Sequence, residues 1–463
     1  MPLETGLALG PPHRRGLFAH LTGVRLFVMS FAGLITLGAL GFLVLPGLYT
    51  GPRLTVVDAF FMSASAVCVT GLSVVDISRF LTGWGQAWLL VLIQAGGLGI
   101  LSFATIIIHL LGGRGALEVE SAAGSGVGAT PGRTRALLRS VFLLTFAIEA
   151  VGTVALWVQW RGTLGDLGAV WPAVFHAISA FCNAGFSTFG DNLVGWRTAP
   201  PVLLTIGGLI VLGGLGFVVL EDVRARWGPR RTRRLSTHSR VTLGATALLL
   251  VGGMLAYLLF ESPVSLRDLG PVDRLANALF MAVTPRTAGF NAVDYDQISD
   301  PSLALTIALM YVGGAPGSTA GGIKVTTAAL LALALWTRLR GRSEIAVGGR
   351  TVRDETVGSA ASLAVGAIGI LATAIFLLLI VEHSAESTDR TDLLKLVFEA
   401  HSAFGTVGLS MNRTADLTPA GRVIITLLMF VGRVGPLALA AAMATRGVGK
   451  AKFRYAYEQV AVG

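Results

Sequence analysis

Residues 275–291 read LANALFMAVTPRTAGFN, a short apolar stretch that ends in a glycine motif. Three further stretches have the same character: VDAFFMSASAVCVTGLS at 57–73, WPAVFHAISAFCNAGFS at 171–187 and LLKLVFEAHSAFGTVGLS at 393–410. Their aligned glycines, Gly71, Gly185, Gly289 and Gly408, are 114, 104 and 119 residues apart. A phenylalanine lies ten residues before this glycine in three stretches and nine before it in the third one along the chain. The chain therefore carries a fourfold internal repeat, and this repeat decides its fold.

The rest of the sequence has the composition of a membrane protein. Of 463 residues, 53% are hydrophobic and 13% are charged, whereas soluble domains have roughly 25% charged residues. The mean hydropathy is +0.71. Two cysteines are too few for a disulfide scaffold. Eight blocks are long and apolar enough to cross a bilayer: residues 26–51, 80–113, 140–160, 198–220, 241–260, 301–337, 356–381 and 423–445.

The charged residues predict how these spans are oriented. Segments 1–25, 114–139, 221–240, 338–355 and 446–463 together hold 23 of the 36 Lys and Arg residues, and the opposite loops hold 11. The positive-inside rule then places both termini in the cytoplasm, in a multi-pass protein of the cell (inner) membrane. The net charge of +10 lies in these loops. It is therefore explained by membrane topology, and nucleic acid is not expected as a partner.

The repeated stretches are too short to cross the membrane and are expected to be re-entrant. Irregular backbone at membrane depth is tolerated where it is buried in protein or lines a water-filled cavity. Glycine adopts positive φ at little cost, so four such turns can direct carbonyl oxygens at one axis. A ring of carbonyls can replace the hydration shell of an alkali cation, and the carboxyl ends of the short helices favour a cation there. A single membrane glycine more often serves close helix packing, but four aligned glycines favour a pore. We predict an all-α polytopic membrane protein with four span–pore helix–span repeats around one central ion pore.

A second glycine-rich region predicts a gate. Glycine and proline are too frequent in residues 313–322 for a continuous helix, and we expect the third repeat alone to be broken in this way. Arg433 lies inside a span at a similar depth, and we expect it to bond to carbonyls of that loop. Lys324 could serve the gate or extend to the cytoplasmic surface. The predicted gate residues are Gly313, Gly314, Ala315, Pro316, Gly317, Ser318, Thr319, Ala320, Gly321 and Gly322, with Lys324 and Arg433.

Three motifs give the chain a family resemblance. They are RTAGFN at 286–291, GSTAGGIK followed by VTT at 317–327, and GRVGP at 432–436. Over residues 24–463 the chain resembles the Trk/Ktr/HKT superfamily of potassium transporters, and among them the eight-span Ktr-type membrane subunit. The resemblance implies that filter carbonyls come from Val69, Thr70, Gly71, Asn183, Ala184, Gly185, Thr287, Ala288, Gly289, Thr406, Val407 and Gly408. In plant relatives a serine at the first glycine position accompanies sodium selectivity, so Gly71 favours potassium.

The resemblance also implies assembly partners. It predicts a homodimer of this chain on a ring of separate cytosolic, nucleotide-binding regulatory subunits. No bound cofactor is expected. K⁺ is the expected transported ion, held at the filter carbonyls, and Na⁺ is a possible coupling or activating ion.

The expected division of the chain follows the repeat. It comprises a cytoplasmic segment 1–23, repeat 1 at 24–113, repeat 2 at 114–222, repeat 3 at 223–337, repeat 4 at 338–446 and a cytoplasmic tail 447–463. The predicted function is potassium uptake through a gated pore, with sodium transport or sodium–potassium symport as the alternative. A polytopic membrane enzyme is remote, because clustered His, Asp, Glu and Cys at membrane depth are nearly absent. We therefore do not expect an enzyme.

Overall fold

A computed structural model describes residues 16–110, 131–227, 235–342, 344–347, 350–383 and 390–446. Residues 447–463 and most of 1–23, the predicted cytoplasmic ends, lie outside this range. The first two predicted repeats contain α1 (Gly16–Val44), α2 (Val56–Val67), α3 (Ile77–Phe80) and α4 (Gly83–Leu110), then α5 (Pro131–Leu164), α6 (Val170–Cys182), α7 (Pro200–Leu215) and α8 (Phe217–Trp227).

The second half of the chain continues the same order. It contains α9 (Thr237–Glu261), α10 (Pro271–Val283), α11 (Asp300–Tyr311), α12 (Val325–Leu339), the strands β1 (Ile345–Val347) and β2 (Arg350–Val352), α13 (Asp354–Val381), α14 (Arg390–Gly405) and α15 (Pro419–Arg446). The two strands pair antiparallel near the start of the predicted fourth repeat. We call α1, α5, α9 and α13 the outer helices, α2, α6, α10 and α14 the pore helices, and α4, α7, α11 and α15 the inner helices.

The outer helices face the bilayer. Each of them is long and apolar enough to cross a membrane by itself, and the bent pair α7–α8 counts as a fifth candidate span. Large apolar side chains point outward from them, such as Met29 at 69%, Leu248 at 73% and Phe376 at 63% exposure. Soluble monomers rarely expose apolar surface on this scale. The chain is therefore a multi-pass membrane protein, and the total of eight spans stays a prediction.

The helices pack in a cycle. Within each repeat the outer helix contacts its own pore helix: α1 with α2, α5 with α6, α9 with α10 and α13 with α14. Each inner helix contacts the pore helix of the next repeat: α4 with α6, α7 with α10 and α11 with α14. The last inner helix, α15, contacts the first pore helix, α2, and closes the cycle. The four units thus surround a common axis within one chain.

Local sequence signals fix where helices begin. The hydroxyl of Thr55 accepts a hydrogen bond from the Asp58 backbone N–H and caps α2. The hydroxyl of Ser236 does the same for Ser239 at the start of α9. Such caps satisfy backbone N–H groups that have no partner within the helix. Proline occupies the first turn of α7, α10 and α11, where its missing N–H costs nothing.

The expectation that only the third repeat is broken is wrong. The inner helix of the second repeat also breaks, with a bend of 100° between α7 and α8. The bend lies at Gly216, whose φ is +80°. A β-carbon there would lie 2.9 Å from the carbonyl oxygen of Pro316, and the backbone N–H of Phe217 donates to the carbonyl of Gly317. The predicted span at 198–220 is therefore bent because the loop of the third repeat packs into it.

Candidate functional site: a fourfold ring above an intramembrane loop

The four glycine motifs have a common backbone conformation. We call residues 69–71, 183–185, 287–289 and 406–408 the filter segments. The motif glycines have φ between +68° and +100°, as the sequence predicted. The residue two before each glycine also has positive φ: Val69 at 56°, Asn183 at 62°, Thr287 at 72° and Thr406 at 49°. Positive φ is a genuine outlier for β-branched residues. Strain of this kind persists where the surrounding structure enforces it, and it clusters at functional sites.

The filter segments touch one another in cyclic order. A β-carbon on Gly71 would lie 2.3 Å from the carbonyl oxygen of Ala184. The equivalent distances are 2.6 Å from Gly185 to Ala288, 2.4 Å from Gly289 to Val407 and 2.1 Å from Gly408 to Thr70. In every case the oxygen belongs to the residue before the next motif glycine. All twelve predicted filter residues therefore lie in one closed ring, where only glycine fits at the motif positions.

Hydroxyl side chains that the sequence analysis missed tie each filter segment to its pore helix. The hydroxyls of Ser65 and Ser402 accept from the backbone N–H of Gly71 at 3.1 Å and of Gly408 at 3.0 Å. In the other two repeats the hydroxyl donates to the carbonyl that follows the glycine, from Ser179 to Phe186 at 2.9 Å and from Thr284 to Phe290 at 2.5 Å. The signal was present: a hydroxyl residue lies six before the glycine in three repeats and five before it in the third.

The second glycine cluster of each repeat serves close packing. Gly96, Gly213 and Gly432 lie on inner helices, and a β-carbon on them would lie 1.9–2.0 Å from the carbonyl oxygens of Val67, Phe181 and Phe404, respectively. Each of these carbonyls lies four residues before a motif glycine. The inner helices therefore press against the carboxyl ends of three pore helices. This contact holds the ends of the pore helices at the axis, where their dipoles favour a cation.

Residues 313–322, the gate loop, connect α11 to α12 without helical structure, as predicted. Three backbone hydrogen bonds tie the loop to the bend of the second repeat: Ala315 N–H to the Gly214 carbonyl at 2.9 Å, Thr319 N–H to Gly213 at 3.2 Å, and Phe217 N–H to Gly317 at 3.2 Å. The loop closes on itself through Gly313 N–H, which donates to the Ile323 carbonyl at 2.8 Å. These bonds satisfy backbone groups that a break in a membrane helix exposes.

Thr319 brings the gate loop close to every repeat. Its hydroxyl donates to the carbonyl of Phe181 in the second repeat at 3.0 Å. Its own carbonyl accepts from the Nη1 of Arg433 in the fourth repeat. A β-carbon on Gly97 in the first repeat would lie 3.9 Å from its methyl group. Because one residue of the third repeat approaches the three others, the loop lies across the axis that the repeats share.

The two basic residues predicted for the gate, Arg433 and Lys324, contact this loop. Arg433 is 4% exposed, and its bond to Thr319 is the contact with loop carbonyls that the sequence suggested. Its Nε and Nη2 atoms are buried without a hydrogen-bond partner among the described residues. Lys324 is half-buried and its Nζ donates to the Ala320 carbonyl at 2.7 Å. Two basic side chains therefore lie against the segment that crosses the axis.

Glu149, for which the sequence offered no partner, lies in a buried polar cluster. Its Oε2 accepts from the Nε2 of Gln94 at 3.1 Å. The Sγ of Cys182 lies 3.4 Å from the Gln94 Oε1 and 4.0 Å from the Glu149 Oε1. The cluster joins the inner helix of the first repeat to the outer and pore helices of the second. Sequence spacing could not find it, because its three members come from separate helices.

Comparison with known proteins agrees with this architecture. A family model described as "TrkH: Cation transport protein" matches residues 38–447. The Ktr system potassium uptake protein B of Bacillus subtilis (strain 168) is 37% identical over 423 residues, covering 91% of this chain and 92% of that protein. The potassium/sodium uptake protein NtpJ of Enterococcus hirae is 34% identical over 459 residues, covering 96% of this chain and 98% of that protein.

A solved structure supports the fold. The crystal structure of the potassium transporter TrkH from Vibrio parahaemolyticus superimposes with a TM-score of 0.69 at 20% identity, covering 93% of this chain and 86% of that chain. These proteins are named as transporters, in agreement with the expectation that the chain is not an enzyme. The fourfold ring, the intramembrane loop and the match over residues 38–447 together show that the chain belongs to the TrkH family of cation transport proteins.

Proposed function

We propose that the chain takes up potassium along the axis of the closed ring that the four filter segments form, which we call the filter ring. The closed cycle of contacts among the four filter segments supports this proposal, because the contacting oxygens are four backbone carbonyls of equivalent position. Carbonyl oxygens can replace the water around a potassium ion without bringing a fixed negative charge. The twelve filter residues are then the K⁺ site, and the pore helices add their negative ends.

The gate loop and its two basic side chains, Arg433 and Lys324, close this path. A cation that leaves the filter toward the cytoplasm meets the backbone of Thr319 and the buried charge of Arg433. Coulomb repulsion between unit charges is strong where water is excluded. A closed state favoured by about 1.4–2.8 kcal/mol suppresses flux by about 10- to 100-fold. Opening requires the loop to move away from its bonds to Gly213 and Gly214.

A second candidate function is sodium transport or sodium–potassium symport. It is supported by the 34% identity to a protein named potassium/sodium uptake protein. The glycine at all four motif positions favours potassium, because a side chain at any of them would displace a neighbouring carbonyl. The two functions differ in the ratio of the two fluxes, which a competition experiment measures.

The assembly that we propose follows the relatives. One of them is named as a component of the Ktr system, which supports a separate regulatory partner. We infer a homodimer of this chain on a ring of cytosolic nucleotide-binding subunits, with both termini cytoplasmic. The partner would act by moving the gate loop.

Uptake of radioactive rubidium into proteoliposomes tests the proposal. Wild-type protein and Arg433→Ala are reconstituted with potassium inside and assayed without any partner. We expect uptake above that of empty vesicles, faster in the variant, and inhibited by external potassium at lower concentration than by sodium. Equal inhibition by both ions would favour the second candidate, and absence of rubidium uptake in both proteins would contradict a potassium pore.

A further inference from the structure

A recurrent contact joins each of three pore helices to the outer end of its filter segment. One partner lies nine residues before the motif glycine, and the other is the serine two residues after it. The pairs are Met62 with Ser73, His176 with Ser187, and Glu399 with Ser410. The position is structurally equivalent in the three repeats, but its chemistry differs. In the first repeat the contact is a weak sulfur contact of 3.4 Å. In the second and fourth it is a hydrogen bond that the serine hydroxyl donates to a polar side chain.

Glu399 makes the strongest of these contacts. Its side chain is 0% exposed, and the Ser410 hydroxyl donates to its Oε1. The hydroxyl of Thr414 donates to its Oε2 at 2.8 Å and lies 3.1 Å from the Ser410 hydroxyl. Each oxygen of the Glu399 carboxyl group thus accepts one hydroxyl hydrogen bond, and the pair fixes the pore helix to the outer end of the filter segment.

His176 makes the matching contact in the second repeat. Its Nδ1 lies 2.8 Å from the Pro172 carbonyl, which can only accept, so this nitrogen carries the proton. In the neutral imidazole, Nε2 then accepts from the Ser187 hydroxyl at 2.9 Å, the nearer of two acceptors for that hydroxyl, since the Asn192 carbonyl lies at 3.2 Å. The ring is held in place by Trp160, edge-on with centroids 5.0 Å apart, and by Phe189, stacked at 4.9 Å. Ser187 in turn accepts from the Phe189 backbone N–H at 3.0 Å.

We propose that Glu399 and His176 are positioning residues for ion selection, an inference that rests on the proposed potassium function. They fix the chain two residues beyond the motif glycine in the second and fourth repeats, which lie opposite each other in the ring. With both ends of a filter segment fixed, its carbonyls cannot move inward to bind a smaller cation. The preference for potassium over sodium therefore depends on these two side chains, although they lie behind the filter and touch no ion.

The test replaces each polar residue by the one that the first repeat uses. Potassium-over-sodium permeability ratios are measured from reversal potentials for wild type, Glu399→Met, His176→Met and Ser410→Ala. We expect the ratio to fall about tenfold in Glu399→Met and in Ser410→Ala, because each variant loses the Glu399–Ser410 hydrogen bond and a tenfold change corresponds to about 1.4 kcal/mol. The ratio should fall less in His176→Met, because His176 accepts one hydroxyl hydrogen bond whereas Glu399 accepts two. Glu399→Gln retains an acceptor oxygen and should restore most of the ratio.

Matched controls separate positioning from folding. Met62→Leu removes only the sulfur contact of the first repeat and should leave the ratio unchanged. His401→Gln alters the same helix as Glu399, at a ring whose Nδ1 lies 2.8 Å from the Val397 carbonyl of that helix. This variant should also leave the permeability ratio unchanged.

Wild-type ratios in both Glu399→Met and Ser410→Ala, or lower yields of folded protein with an unchanged ratio, would overturn the inference. A wild type that fails to prefer potassium would instead overturn the proposed function. Ser410→Ala and Glu399→Gln keep the packing of the pore helix, so they decide the matter if Glu399→Met does not fold.

Discussion

Replacing Gly71 by serine tests the filter ring at one position. The φ of Gly71 is +100°, which costs an L-residue roughly 1–3 kcal/mol. The added β-carbon would lie 2.3 Å from the carbonyl oxygen of Ala184. Ordinary contact begins at 3.4 Å, so that oxygen or the new side chain must move by about 1 Å. In the Gly71→Ser variant, the filter segments can relieve this strain only by departing from the arrangement that we assign to potassium.

The expected size of the effect follows from the strain. If the potassium-bound arrangement retains about 1.4 kcal/mol that a relaxed, sodium-binding arrangement avoids, the preference for potassium falls about tenfold. Reversal potentials in mixed potassium and sodium measure this ratio directly. We expect potassium conductance to fall and sodium conductance to rise in a folded, assembled variant.

A matched control separates strain from contact. Gly47 has φ +73°, and a β-carbon there would meet nothing within 4 Å. Gly47→Ser carries comparable backbone strain and should lower thermal stability while leaving the permeability ratio unchanged. A wild-type ratio in Gly71→Ser, with folding verified, would refute the assignment of this residue to the filter.

Three further predictions concern the gate loop, the bend at Gly216 and the contact between α2 and α15. Arg433→Ala, and separately deletion of residues 315–319, should raise potassium flux in the absence of any partner by about 10- to 100-fold at unchanged ion preference; low flux in both would exclude this gate. Gly216→Ala should lower the free energy of unfolding by roughly 1–3 kcal/mol, because its φ is +80°, and a calorimetric scan that matches wild type would contradict the bend. Asp58→Asn weakens the 2.5 Å ion pair with Arg422 that joins α2 to α15, and should cost roughly 1–3 kcal/mol in the same scan; an unchanged melting temperature would count against that link.

The internal repeat of the sequence was sufficient to predict that the four motif glycines have equivalent positions in the fold. The four motif glycines predicted the ring, because only glycine tolerates both positive φ and the neighbouring carbonyl. The shorter spacing of the third motif also reappears in the structure. Its filter residue Ala288 bonds back to Thr284, four residues earlier, whereas Thr70 bonds back to Ser65, five residues earlier. One residue fewer in the third motif therefore makes the hydrogen-bonded turn that closes the pore helix one residue shorter.

Features that depend on contacts between repeats were not predictable. The bend at Gly216 requires the gate loop to donate and accept hydrogen bonds there, and one glycine in an apolar block gives no sign of it. The positive φ of Val69 and Thr406 is an outlier for β-branched residues, so residue type alone could not predict it. Glu149 found its partner Gln94 across 55 residues of chain, which no spacing rule could indicate.

Diffraction from crystals grown in potassium and soaked in rubidium or thallium tests the central claim most directly, since anomalous scattering locates the ions. The account predicts ion peaks on the axis inside a single chain, within coordination distance of the carbonyls of Thr70, Ala184, Ala288 and Val407, and weaker peaks when sodium replaces potassium in the soak. Ions bound only between two chains, or only at side-chain carboxylates away from the ring, would contradict it.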